Sequence, residues 1–140
     1  MSVHKGLRGP SHLDAQAKTE ELVAHTIKIL CNPNVFDPKY QALVDRVMDC
    51  AIGIGQDMWE ANGIRVGDSP RKWAMRRDLQ ERACRGFDTL LYLIKICKPV
   101  FGLRNGKVYY WTKLTTDARD LARKWRDSDA RRNGHLESGT

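Results

Sequence analysis

Residues 71–98 read R-K-W-A-M-R-R-D-L-Q-E-R-A-C-R-G-F-D-T-L-L-Y-L-I-K-I-C-K, with no proline and one glycine. Ala83, Phe87, Leu90, Ile94 and Cys97 fall four, three, four and three residues apart. That spacing is the apolar seam of a helix built to pack against other helices. The first half of the same stretch carries Arg71, Lys72, Arg76, Arg77, Arg82 and Arg85 against Asp78 and Glu81. One element therefore offers both a core stripe and a cationic surface.

The pattern repeats on either side. A first helix is expected over 14–30, with Leu22, Val23, Ile27 and Leu30 as its apolar face, Asp14 as its cap, and a stop at Asn32-Pro33-Asn34. In the connector that follows, Val35 and Phe36 are expected to tuck under the bundle. Asp37-Pro38 reads as the start signal of a second helix over 38–62. Its apolar positions are Leu43, Val44, Val47, Met48, Ala51, Ile54, Met58 and Trp59, and Gly63 is its expected C-terminal cap. Gly53 and Gly55 either weaken this helix or let a neighbour approach closely. Asp68 or Ser69 caps the third helix, Pro70 sits in its first turn and Pro99 closes it. A fourth helix over 107–130 repeats the heptad spacing at Trp111, Leu114, Ala118, Leu121 and Trp125, facing the seam of the third.

No run alternates with period two for long enough to make a strand. Four helices joined by short connections predict an all-α fold, an antiparallel up-down-up-down four-helix bundle over 14–130. Flexible tails are expected at 1–13 and 131–140.

A chain of 140 residues supports one sizeable core. Its net charge of +7 is uneven. Residues 1–70 hold seven Lys/Arg against nine Asp/Glu, a balance of −2, whereas 71–132 hold seventeen against seven, a balance of +10. Such asymmetry suits a polyanionic partner, because neutralising phosphates releases counterions. A solvated helical face is the plainer reading, with pairs such as Asp78–Arg82 and Glu81–Arg85 absorbing charge at i,i+4 spacing.

Cys31, Cys50, Cys84 and Cys97 form no C-x-x-C pair, and three lie in apolar helical runs, as buried free thiols in a reducing compartment would. His4, His12, His25 and His135 have no ligand spacing to them, which argues against zinc. No apolar run reaches the roughly 18 residues of a membrane span, and the basic start has no hydrophobic segment behind it, so a cytoplasmic setting is expected. There is no phosphate-binding glycine loop, nucleophile elbow, H-E-x-x-H or pair of inward Glu-x-x-His motifs, so neither an enzyme nor a cofactor is expected.

Two candidate nucleic-acid surfaces remain. Arg71, Lys72, Arg76 and Arg77 have few acids nearby and are the first choice for a polyanion contact. Arg119, Arg123 and Arg126 share a face of the last helix, and Arg131 and Arg132 extend the charge, but Asp117, Asp120, Asp127 and Asp129 interleave with them. Tyr109, Tyr110, Trp111 and Trp125 could stack on unpaired bases. Heptad placement instead favours core roles for both tryptophans, and Tyr109 and Tyr110 cannot both face inward.

Five segments carry a family resemblance: E-L-V-A-H-T-I-K-I-L (21–30), N-V-F-D-P-K-Y (34–40), W-E-A-N-G-I-R-V (59–66), R-R-D-L-Q-E-R-A (76–83) and Y-W-T-K-L-T-T-D-A-R-D-L-A-R-K-W-R-D-S-D (110–129). Together they span about 14–130. On these segments the chain resembles the small bacterial four-helix-bundle family that includes the accessory variability determinant (Avd) of diversity-generating retroelements and the proteins encoded in intervening sequences of large-subunit ribosomal RNA genes. The resemblance implies a nonenzymatic homo-oligomer, pentameric in form. It would bind template-repeat RNA, cDNA and the reverse transcriptase through basic surface residues. A protein–protein scaffold without nucleic-acid binding is the alternative from another class.

Overall fold

The computed structural model describes residues 12–138, which form four helices and no strand. These are α1 (His12–Leu30), α2 (Gln41–Gly63), α3 (Pro70–Phe101) and α4 (Asn105–Ser138). Each packs on the next in the chain, and α1 also packs on α4, closing the ring around one core.

The heptad seams form that core. Ala83, Phe87, Leu90, Ile94 and Cys97 of α3 are all buried, as are Trp111, Leu114, Ala118 and Trp125 of α4. Val44, Val47, Ala51, Ile54 and Met58 bring α2 inward. On α1 the inward stripe is Ala15, Thr19, Leu22, Thr26 and Leu30, while Val23 and Ile27 lie at its half-buried margin. The two threonines are satisfied inside: Thr19 Oγ1 donates to Ala15 O (2.7 Å), and Thr26 Oγ1 accepts from Trp111 Nε1 (2.9 Å). Phe36 is buried beneath the ring, with Phe101 at 4.8 Å between centroids and Trp111 edge-on at 6.3 Å.

Several helix ends differ from expectation. α1 starts at His12, which leaves Asp14 inside its first turn and not at its cap. Of the expected N-terminal tail, His12 and Leu13 are helical, and residues 1–11 lie outside the described residues. Asp37 accepts from the Lys39 amide (2.9 Å), but the start signal opens only a 3-10 turn at Pro38–Tyr40, and α2 follows at Gln41. Gly63 is the last residue of α2 with no positive φ. The helix closes through the Ile64 amide on Ala61 O, and the chain leaves in an extended conformation. Ser69 does cap α3, its Oγ accepting from the Lys72 amide at 3.2 Å.

Pro99 does not end α3. A proline in the last turn removes only one backbone bond near a terminus already short of partners, so the helix runs on to Phe101. The stop is Gly102, left-handed at φ 60°, where the amides of Gly102 and Leu103 both return to Lys98 O. The expected tail from 131 is likewise helix as far as Ser138. Leu136 there is buried with Val66 and Trp73 in a small second cluster.

Trp59, counted among the apolar positions of α2, is 67% exposed. Met58 takes the inward place one residue earlier, and a helix turns about 100° per residue. Gly55 does allow close approach, since a Cβ there would lie 3.1 Å from Val23 Cγ2, whereas Gly53 faces open space. Among the described glycines the closest approach is at Gly86, where an added Cβ would come within 2.6 Å of Ile54 Cγ1.

Candidate nucleic-acid interface

The eleven basic residues singled out by sequence divide into two kinds. Arg76 belongs to the architecture. It reaches across from α3 to Asp129 on α4, with Nη2 at 2.6 Å and Nε at 2.7 Å from Oδ2, while Nη1 donates to Ile64 O at 2.9 Å. Asp129 has only 1% of its side chain exposed and also accepts from Gln80 Nε2 (2.8 Å) and from Arg132 Nη2. The Arg76 guanidinium carbon lies 5.1 Å from the ring centroid of Trp125. A buried carboxylate needs this many donors to offset its lost hydration.

Most other arginines are paired between helices. Arg77 meets Glu137 and lies over the Trp73 ring, and Arg82 grips Asp57 through two bonds of 2.8 and 3.1 Å. Arg119 and Arg123 share Asp88, and Arg126 meets Glu81 and Asp127. The expected Asp78–Arg82 and Glu81–Arg85 pairs within α3 do not form. Arg82 pairs with Asp57 of α2 and Glu81 with Arg126 of α4 instead. The interleaved acids of α4 do take up part of its charge, as anticipated.

Arg71, Lys72, Arg85 and Arg131 are exposed and have no carboxylate partner among the described residues. Arg65, in the loop between α2 and α3, joins them; sequence reading did not single it out. Of the first-choice cluster, then, Arg71 and Lys72 face solvent, and Arg76 and Arg77 hold helices together.

The aromatics also sort. Trp111 and Trp125 are core, so neither offers a face to a base, while Tyr109 and Tyr110 are 68% and 52% exposed. Tyr110 packs edge-on against His25, with centroids 4.9 Å apart. Sequence reading placed Trp59 in the core and so missed the one tryptophan on the surface. It forms part of a depression of about 520 Å3 with Ile64, Met75 and Leu79.

No group of three or more His, Cys, Asp or Glu among the described residues could hold a metal ion. All four cysteines are free thiols; Cys31 is exposed, Cys50 half-buried, and Cys84 and Cys97 buried. Burial pushes the Cys97 thiol up to about 11 and raises Cys50 and Cys84, which makes all three poor nucleophiles. No described helix is long and apolar enough to cross a membrane.

No family model, curated protein or solved structure matches the chain. Fold and surface together define a class only: a four-helix protein whose cations are partly structural and partly free.

Proposed function

We propose that this chain is a basic nucleic-acid-binding accessory protein, without catalysis of its own, that serves a diversity-generating retroelement. In this reading it binds template RNA and the reverse transcriptase, and supports mutagenic cDNA synthesis in the cytoplasm as a homo-oligomer, a pentamer by resemblance. The observation that carries nucleic-acid binding is that Arg71, Lys72, Arg85 and Arg131, on the half of the chain with a balance of +10, are exposed and have no carboxylate partner among the described residues. Exposed arginine and lysine without carboxylate partners are free to displace counterions from phosphates. The retroelement, the polymerase and the pentamer rest on the sequence resemblance.

We further infer the up-down-up-down arrangement. Supporting it, ion pairs along α3 and α4 run in opposite order. Arg76 and Arg77 meet Asp129 and Glu137, and further along α3 Glu81 and Asp88 meet Arg126 and Arg119.

The test is RNA binding by a variant carrying Arg71→Gln, Lys72→Gln, Arg85→Gln and Arg131→Gln, with duplex DNA as a comparison. We expect affinity to fall at least tenfold while the thermal midpoint stays within a few degrees, since exposed charges without partners contribute little to folding. Undiminished RNA affinity would overturn the assignment. The scaffold reading draws on one observation, the exposed apolar side chains of Trp59 and Met75 lining one depression. It predicts no affinity for RNA even in the unaltered protein.

A further inference from the structure

The depression beside Trp59 continues into a second one. The second also holds about 520 Å3 and shares Gly63, Ile64 and Met75 with the first, so the two form one groove between the end of α2 and the start of α3. The two halves differ in chemistry. The first is walled by Trp59, Ile64, Met75 and Leu79, and the second by Arg65, Arg71 and Lys72.

The sequence of α3 builds this gradient. Arg71, Met75 and Leu79 stand four residues apart, so they make one stripe that is cationic at the helix start and apolar beyond it. One turn further along that stripe, Arg82 is held by Asp57 at 2.8 Å, so its charge is already matched. The three cations at the other end have no carboxylate partner among the described residues. The positive end of the α3 dipole adds to their field.

An exposed indole with a sulfur and aliphatic wall, continuous with three unmatched cations, is the pairing of features that holds an unpaired nucleotide. The base stacks on the aromatic face while its phosphates meet the cations. We propose that this groove is a binding site for single-stranded nucleic acid, in which a base stacks on Trp59 against Met75 and Ile64, and the adjoining phosphates contact Arg65, Arg71 and Lys72. The site rests on the nucleic-acid reading above and sharpens it, since a base inside a duplex cannot reach Trp59. Charge complementarity favours this occupant: the cationic half of the groove suits a polyanion, and only Glu60 brings a negative charge to the apolar half.

Trp59 also supplies its own reporter. The other three tryptophans, Trp73, Trp111 and Trp125, are buried, so a soluble quencher reaches Trp59 first. The experiment titrates a twelve-nucleotide oligouridylate, and separately a duplex RNA of equal length, into the full chain. Intrinsic fluorescence and affinity are followed for the unaltered protein and for Trp59→Ala, Trp59→Phe and the double variant Arg71→Gln/Lys72→Gln. We expect oligouridylate to quench the exposed tryptophan and shield it from acrylamide, and duplex RNA to do neither. Trp59→Ala should bind oligouridylate about tenfold or more weakly, Trp59→Phe should recover most of that loss, and duplex affinity should be the same in all three. Because Trp59 lies outside the core, a folded Trp59→Ala variant is expected by circular dichroism. If Trp59→Ala keeps full oligouridylate affinity while the double variant loses it, the stacking site is overturned and the nucleic-acid reading stands. If the unaltered protein binds neither probe, both the stacking site and the nucleic-acid reading fall.

Discussion

At the scale of single residues, Asp129 and His25 show how burial decides what a charge can do. The Asp129 carboxyl is buried and receives hydrogen bonds from Arg76, Gln80 and Arg132. Removing Arg76 leaves that carboxylate buried and short of its main partner. Breaking one side of such a pair costs about 3–5 kcal/mol. Arg76→Gln should therefore lower the midpoint of urea unfolding sharply, and the matched change Arg76→Met/Asp129→Leu should recover much of it. Equal loss in both variants would mean that packing around Trp125, not charge, is what Arg76 supplies. His25 works the other way. Its pKa is lowered chiefly by desolvation and then by Lys107 and Lys28, with Glu21 opposing, and Nε2 is buried without a hydrogen-bond partner. The unfolded chain then takes up a proton at higher pH than the folded one. His25 thus contributes no penalty above its ordinary value of 6.5, and stability is lost as pH falls through that value toward the lowered one. Chemical denaturation at pH 7.5 and 5.5 should show a decline that His25→Gln reduces; an identical decline in the variant would exclude His25 as its source.

At the scale of elements, the glycines of α2 and α3 predict opposite responses to the same substitution. Gly86→Ala would drive a Cβ to 2.6 Å from Ile54, an overpacking of about 1–3 kcal/mol that exceeds the gain in helix propensity of about 1 kcal/mol. Gly53→Ala meets nothing within 4 Å and keeps the propensity gain. Thermal midpoints should move down for Gly86→Ala and up for Gly53→Ala, and a rise for both would mean that α2 and α3 separate at little cost. Sequence reading found the α2 site at Gly55 but passed over Gly86, since nothing local marks a glycine that a distant isoleucine needs. The same limit explains which parts of the fold and site were legible. Heptad seams are local, so the buried faces of α3 and α4 could be read almost residue by residue. The end of α4 could not. Residues 131–138 look like a polar tail until Leu136 is seen beside Val66 and Trp73, 70 and 63 positions earlier in the sequence. Arg76 and Arg77 looked like surface cations for the same reason, their carboxylates lying 53 and 60 positions downstream. Met58 and Trp59 both fit an apolar stripe, and only packing chose Met58.

At the scale of the whole molecule, salt should separate folding from binding. The cations that join helices are either shielded, as in Arg76–Asp129, or worth little singly at the surface, as in Arg123–Asp88 with half of the Asp88 side chain exposed at 54%. A net charge of +7 also carries self-repulsion, which added salt relieves. These effects oppose each other, so the unfolding midpoint should change little between 50 and 200 mM salt. The free cations follow a different law. If Arg65, Arg71 and Lys72 each neutralise one phosphate of a single strand, the log–log slope of affinity against salt is about −2, and a fourfold rise in salt weakens binding about twentyfold. Replacing Arg71 and Lys72 with glutamine should make that slope shallower by about 1.4, whereas Trp59→Ala should lower affinity at every salt concentration and leave the slope alone. Parallel salt titrations of RNA binding and thermal unfolding on the same samples measure both. A slope near zero in the unaltered protein would remove the electrostatic mechanism. A steep fall of the unfolding midpoint with salt would mean that surface ion pairs, more than the heptad core, hold the four helices together.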